Sequence, residues 1–489
     1  MRTTPTLTPP TTSVRAGGRW TRGPRGVLVG LLSLVLVLGL LAGAAALWGR
    51  PALHAAGWLV DGGSATLPPD LRRPGPPAPA PAPAGAPELL PPAGEGEAVS
   101  AGRLAERLRD VSRRDVGGRA DVSVTDVADG ELVHHEGGDA ASMPASTQKL
   151  LTGAAVLQLL GPEHEFSTTV ERRGEVWVLV GGGDPLLTGA TEDGYPRRAS
   201  LEQLAAQTAE AVQRAGGGRV DLGLDERLFE GPAWNPDWPE NYRNQVTPVS
   251  ALVADQGQLD GVSPGRRERQ PAAAALERFA ELLADRGVRV GDVDTSGTGG
   301  SGEVVAEVRS PSVAVLVEQM LLHSDNDVAE LLLRHAGLAA GGPGSSDGGA
   351  AAVGAVLDEL GIDDDGRRTR DGSGLSRQNR VTSTTLSALV AASLSPDHPQ
   401  LRPLATGLPL AGGTGSLTSR FVDTGTAAGR GTVRAKTGTL SGTHSLAGYL
   451  RTADGRLLAF ALLVNSADND YLARVWLDRA TAALASCGC

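Results

Sequence analysis

The sequence predicts an α+β fold, an antiparallel sheet covered by helices. Three observations carry this. A helical segment and a strand pair come first, helical segments dominate the middle, and three closely spaced strands with an amphipathic helix close the chain. Asp129-Gly130, between two strand-like segments, is a hairpin turn signal. No repeat period of roughly 20–50 residues is visible, which sets solenoids and propellers aside.

Each element has a local cause. Leu104, Leu108 and Val111 recur at helical spacing within 101–114. Asp121–Val127 alternates as a strand and pairs across the turn with Glu131–His134. Ser146–Leu160 is apolar nearly all round, as a buried helix requires. Glu175–Val180 and Glu303–Val308 read as strands, and Leu201–Ala215 and Ala272–Asp285 as helices. Val313–His335 is expected to be largely helical, and Val381–Leu394 is another helix. Val433–Lys436, Ser445–Arg451 and Leu457–Val464 are the three closing strands, and Asp470–Leu484 is the last helix.

The chain has 489 residues, and domains average roughly 150 residues, so two or three are expected. Net charge is −11, so no nucleic-acid partner is expected, because phosphate binding needs a basic surface. Cys487 and Cys489 are the only cysteines. That excludes a cysteine-built zinc site, an iron–sulfur cluster or a disulfide scaffold, and leaves a local bridge, an interchain bridge or free thiols open. No cofactor and no metal is expected. Lys and Arg together number 45, yet only Lys149 and Lys436 are lysines.

Residues 1–26 are Arg-rich without an acid, and an apolar run fills 27–48. That run is long enough to span a bilayer, with the N-terminus cytoplasmic and the body outside. The small residues Ala44-Ala45-Ala46 leave a cleaved signal, and hence a secreted body, as the other reading. Residues 49–98 are a Pro/Ala-rich linker, a composition that favours extended polyproline and does not bury a core. The expected organisation is then 99–184 for the first part of a catalytic domain, 185–305 for an inserted, mainly β accessory region, and 306–489 for the second part.

Three motifs carry chemistry. Ser146-Thr147-Gln148-Lys149 follows Pro144-Ala145, so a helix should start there with Ser146 and Lys149 on one face. The apolar run after Lys149 would desolvate its ammonium and free an amine able to take a serine proton. Arginine cannot do this. Ser324-Asp325-Asn326 puts three poor helix formers inside a helical stretch, either a relay of hydroxyl and amide groups or merely a helix break. Lys436-Thr437-Gly438-Thr439 ends a strand, where Lys and Thr can hold a carboxylate and Gly admits a ligand close to the backbone. Each motif alone is common. All three in this order, holding both lysines of the chain, point to serine acyl transfer.

With these motifs the sequence resembles the class C low-molecular-mass penicillin-binding proteins, the D-alanyl-D-alanine carboxypeptidase/endopeptidase family. Further matching segments are Leu179–Leu187, Pro248–Leu252, Asp371–Arg377, Leu408–Gly412 and Ser445–Tyr449. The resemblance implies the penicillin-binding/β-lactamase-like transpeptidase fold, with extra domains inserted between the first two motifs. It implies a serine-type D-Ala-D-Ala carboxypeptidase, with endopeptidase action left open. The partners implied are peptidoglycan peptides ending in D-Ala-D-Ala, β-lactams, and the membrane through the N-terminal segment. By position, Ser146 would be the nucleophile, Lys149 its base, and Ser324 and Asn326 a proton and amide relay. Lys436 and Thr437 would hold the carboxylate across Gly438, the Ser146 and Thr439 amides would form the oxyanion hole, and Arg377 would add charge nearby.

Two rivals are weighed. A β-lactamase needs a deacylating Glu after the second motif, whereas Glu240, four residues before Asn244, precedes Ser324 and reads as structural. A penicillin-sensing or wall-binding module would acylate with little turnover. Gly344–Gly348 mimics a nucleophile elbow without the strand that motif needs, and Gly297–Gly302 mimics a dinucleotide loop but runs into a strand. His323 and His444 beside the motifs read as structural residues or as supports of the motif groups, and Trp234 and Trp238 as packing of the insertion or as a glycan contact.

Overall fold

The computed structural model describes residues 98–113, 116–137, 140–362, 365–488. The apolar run 27–48, the linker and Cys489 lie outside the described residues. Among those described, no helix is long and apolar enough to cross a membrane. Cys487 is buried and disulfide-bonded.

The first part of the chain holds α1 (Ala101–Arg109), β1 (Arg119–Asp126), β2 (Leu132–Glu136) and α2 (Gln148–Leu160). Next come β3 (Ser167–Arg173), β4 (Val176–Val180), α3 (Leu201–Arg214), β5 (Arg219–Asp225), α4 (Pro271–Asp285), β6 (Arg289–Asp294) and β7 (Glu303–Arg309). The helices α5 (Val313–His323), α6 (Asn326–Ala339), α7 (Ser346–Glu359), α8 (Ser383–Leu394) and α9 (Arg402–Thr406) follow. The chain closes with β8 (Arg434–Leu440), β9 (Thr443–Arg451), β10 (Leu457–Asn465) and α10 (Asp470–Ala485).

The main sheet has the order β2-β1-β10-β9-β8, antiparallel throughout, with β8 at one edge. β10 is apolar along its length because both its faces are covered. Leu458, Phe460, Leu462 and Val464 pack with α1 and α10, while Ala459, Ala461 and Leu463 join the core of α2, α5, α6, α7 and α8. On that second face Ser123 and Thr125 meet α8 by hydrogen bonds to the Ser387 hydroxyl, both at 2.9 Å.

The second sheet has the order β6-β5-β4-β3-β7. Strands β4, β5 and β6 run parallel, joined through α3 and α4. The expected 185–305 boundary cuts this sheet, which spans Ser167–Arg309 and takes in β3, β4 and β7. It is an α/β layer with its own apolar core from Val170 to Val308, and mainly β only in its edges. Strands β3, β5 and β6 escape a reading by alternation, because charged residues cap them and Gly223 and Gly291 interrupt them.

Two further differences matter for the site. The stretch Val313–His335 is two helices, broken where Ser324 takes a left-handed backbone, φ 57°. Asp325 then caps α6, its carboxylate accepting the Val328 amide at 3.0 Å. The Gly344–Gly348 segment that mimics a nucleophile elbow leads into α7, with the Ser345 hydroxyl accepting the Gly348 amide. The glycines there serve close packing: a Cβ at Gly348 or Gly349 would strike the carbonyl of Pro343 or Leu333.

Candidate active site

Ser146 sits on a single 3-10 turn, Ala145–Thr147, that leads into α2 at Gln148. The helix therefore starts two residues later than expected, yet Ser146 and Lys149 still face each other. Ala145 has a left-handed backbone, φ 48°, a conformation that costs an alanine about 1 kcal/mol or more. Packing holds it there. Ala145 is fully buried, and the Ser445 hydroxyl donates to the Pro144 carbonyl at 2.6 Å. On the other side Gly374, φ 85°, lies so close that a Cβ would strike the Ala145 carbonyl.

Lys149 is completely buried at the foot of Ser146. Its ammonium nitrogen is 3.2 Å from Ser146 Oγ, 2.8 Å from Asn326 Oδ1 and 2.7 Å from the Ser373 carbonyl. Burial lowers its pKa to about 8, against an opposing pull from the carboxylates of Glu330, Asp325, Asp371 and Asp327. A neutral amine has two N–H donors and one lone pair. Asn326 Oδ1 and the Ser373 carbonyl take the two donors, so the lone pair faces the Ser146 hydroxyl. This is the geometry of a general base.

Ser324 and Lys436 form the facing wall. Lys436 Nζ donates to Ser324 Oγ at 2.8 Å and to the Thr437 carbonyl at 2.8 Å. Lys436 is also fully buried, and burial followed by repulsion from Lys149 pushes its pKa well down. An arriving carboxylate would supply the counter-charge this lysine lacks. The left-handed turn at Ser324 is what aims its hydroxyl at Lys436, so the helix break and the motif are one feature. Asn326 is held on its other side, its Nδ2 donating to the Gln245 carbonyl at 3.0 Å.

Thr437, Gly438 and Thr439 lie on the edge strand β8, which runs against the Ala145–Thr147 turn. Thr437 Oγ1 donates to Ser416 Oγ at 2.9 Å, and Thr439 is exposed. At Gly438 a Cβ would overlap the Ser445 hydroxyl and fall 2.7 Å from the Pro144 carbonyl and 3.0 Å from Ser146 N. Gly438→Ala is therefore expected to push β8 off the nucleophile turn. Acylation by a reporter penicillin should fall by about 100-fold, as for a misplacement of about 1 Å. A rate within threefold of the parent would show the strand does not need this approach.

The remaining candidates separate. Arg377 is exposed and donates to the Ser441 carbonyl at 3.1 and 3.2 Å, at the β8–β9 turn. His444 is buried with Nε2 2.9 Å from Asp470 Oδ1, and His323 is exposed at the end of α5. Glu240 is a surface residue held by the Arg243 guanidinium at 3.0 Å, which keeps its carboxyl below the usual range. Trp234 and Trp238 pack edge to face at 5.1 Å, and Trp238 Nε1 donates to Asp371 Oδ2 at 2.8 Å. Sequence motifs missed Gln245, Ser373, Ser416 and Ser445. Ser373 stands between Gly372 and Gly374 in a segment already marked by the resemblance, and that glycine spacing was its one local signal.

Fold and site together define an active-serine enzyme of the penicillin-binding type, with its three motifs brought into one pocket from three separate segments. The chain belongs to the D-Ala-D-Ala carboxypeptidase 3 (S13) family, whose model matches residues 101–263 and 258–482. It is 37% identical over 381 residues to the carboxypeptidase DacB of Mycolicibacterium smegmatis, covering 75% of this chain and 80% of that one. It is 31% identical over 431 residues to a D-alanyl-D-alanine carboxypeptidase of Actinomadura, covering 70% and 77%. The fold matches the crystal structure of penicillin binding protein 4 from Haemophilus influenzae with a TM-score of 0.64 at 20% identity, covering 78% and 98%.

Proposed function

We propose that this protein removes the terminal D-alanine from peptidoglycan stem peptides through an acyl-enzyme on Ser146. The observation that carries the mechanism is the three-way hold on Lys149, which leaves its lone pair for the Ser146 hydroxyl. Lys149 takes the hydroxyl proton as Ser146 Oγ attacks the penultimate carbonyl. The amides of Ser146 and Thr439 stabilise the oxyanion, and such donors are each worth about 100–1,000-fold. The proton that Lys149 took passes through the Ser324 hydroxyl, which Lys436 holds, to the departing D-alanine amine, so Lys149 and Ser324 both return to their starting states. Lys436 and Thr437 hold the terminal carboxylate, Asn326 holds the substrate amide, and Arg377 adds positive charge at the rim. Water then hydrolyses the ester and restores Ser146. A β-lactam ring enters the same pocket and stays attached.

The similarity to a carboxypeptidase DacB and a D-alanyl-D-alanine carboxypeptidase supports the carboxypeptidase reading, and a β-lactam complex of the Haemophilus protein supports the penicillin reading for that fold. The surface position of Glu240, paired with Arg243, favours slow ester hydrolysis over a lactamase. The body is proposed to work outside the cytoplasmic membrane, tethered by residues 27–48 and spaced by 49–98.

Incubation with a pentapeptide ending in D-Ala-D-Ala should release D-alanine at a steady rate. Fast β-lactam hydrolysis without D-alanine would favour a lactamase, and labelling without either turnover a sensor. Acylation should also depend on pH. Burial lowers the Lys149 pKa to about 8, so the free amine accumulates as pH rises through that value. Below it the acylation rate should climb about tenfold per pH unit, then level off. A flat profile through this range would exclude Lys149 as the base.

A further inference from the structure

Glu330 lies one helical turn beyond Asn326 on α6 and is almost fully buried. One oxygen, Oε1, accepts both the Gly372 amide at 3.1 Å and the Ser373 amide at 2.8 Å. The carbonyl of the same Ser373 accepts Lys149 Nζ at 2.7 Å. Resting on the reading of Lys149 as base, we propose that Glu330 is a positioning residue for acylation: through Gly372 and Ser373 it aims the Lys149 amine at Ser146, and its carboxylate tunes the pH dependence of that step.

The mechanical half follows from the bonds. The segment from Asp371 to Ser376 has no regular structure, and two buried carboxylates hold it. Asp371 accepts the Gly374 amide at 2.9 Å, the Ser376 amide, Asn379 Nδ2 at 2.7 Å and Trp238 Nε1 at 2.8 Å. Asp371 thus fixes the far end of the segment, and Glu330 fixes the peptide next to Lys149. Without Glu330 the Ser373 carbonyl could turn away, and the amine would lose one of the two acceptors that orient its lone pair.

The electrostatic half follows from the charges. Facing Lys149 are Glu330, Asp325 and Asp327 from the α6 end, Asp371 from the loop and Lys436 from β8. Glu330 exerts the largest of the carboxylate pulls on the ammonium. Facing Glu330 are Asp371, Arg334 and Lys149. Burial and then Asp371 raise the Glu330 pKa to about 8. The two groups titrate over the same range as a coupled pair in which each charge favours the other, so removing the Glu330 charge should lower the lysine's pKa.

Two variants separate the halves, each read as the rate of Ser146 labelling by a fluorescent penicillin against pH. Glu330→Gln keeps an oxygen acceptor and removes the charge. Its acidic limb should move to lower pH by about one unit, with a plateau within about tenfold of the parent. Glu330→Asp keeps the charge and withdraws the oxygen by one methylene. Its limb should stay in place while its plateau drops about 10–100-fold. A purely structural glutamate would lower the melting temperature in both without moving the limb. A Gln limb at the parental pH, or an Asp plateau within twofold of the parent, overturns the proposal. If Glu330→Gln does not fold, the Asp plateau decides. A parent protein labelled at Ser146 with no pH limb would overturn the base assignment first, and the role of Glu330 with it.

Discussion

Ser146→Ala should lose all covalent labelling by a reporter penicillin, and its release of D-alanine should fall by roughly a millionfold, the scale for removing a serine nucleophile. The protein should remain folded. The Ser146 hydroxyl lies 3.2 Å from Lys149 Nζ, and the turn beneath it is fixed by other groups. The lost bond is worth about 1 kcal/mol at most. A fluorescent penicillin on a gel and a thermal melt measure both outcomes. Labelling that persists at another serine would overturn the site assignment, and Ser324 is the one to look for, since its hydroxyl meets the other lysine.

Lys149→Arg should lower acylation by about 100–10,000-fold, the usual worth of a general base, while the positive charge is kept. The guanidinium does not deprotonate in proteins, so the lone pair aimed at Ser146 disappears. It is also larger than the space that closes on Lys149, which is completely buried. Overpacking should cost about 1–3 kcal/mol of stability, visible as a lower melting temperature. The loss of acylation should not be rescued at high pH, in contrast to the rise toward pH 8 expected of the parent, where burial lowers the Lys149 pKa to about 8. Acylation within tenfold of the parent would show that Lys149 is not the base.

How far the sequence reveals such a machine depends on which atoms do the work. Ser146, Lys149, Ser324, Asn326, Lys436 and Gly438 meet through side chains, or through the lack of one, and short local motifs mark each of these positions. The Ser373 and Gln245 carbonyls orient Lys149 and Asn326 as backbone atoms, which every residue type supplies, so no side-chain signal marks them. The main sheet was readable because β10 is apolar on both faces and β1 and β2 flank a clear turn. The second sheet was only partly so, because its short strands carry charges at their ends and its parallel pairs leave no hairpin turns. In α7 the glycines that suggest a loop are there for helix contact with the Leu333 and Pro343 carbonyls.

The order of strands in the main sheet has a consequence for how the enzyme comes into being. β1 pairs with β10, residue Arg119 opposite Asn465, so one of the first strands synthesised waits for one of the last. Ser146 and Lys149 lie early in the chain, but the strand that carries Lys436 and the strand that seats it on the sheet come near its end. Such distant pairings make folding slow, since the intervening chain must be closed before contacts form. A nascent or truncated chain that stops before Leu457 cannot build the pocket, however intact its Ser146 and Lys149.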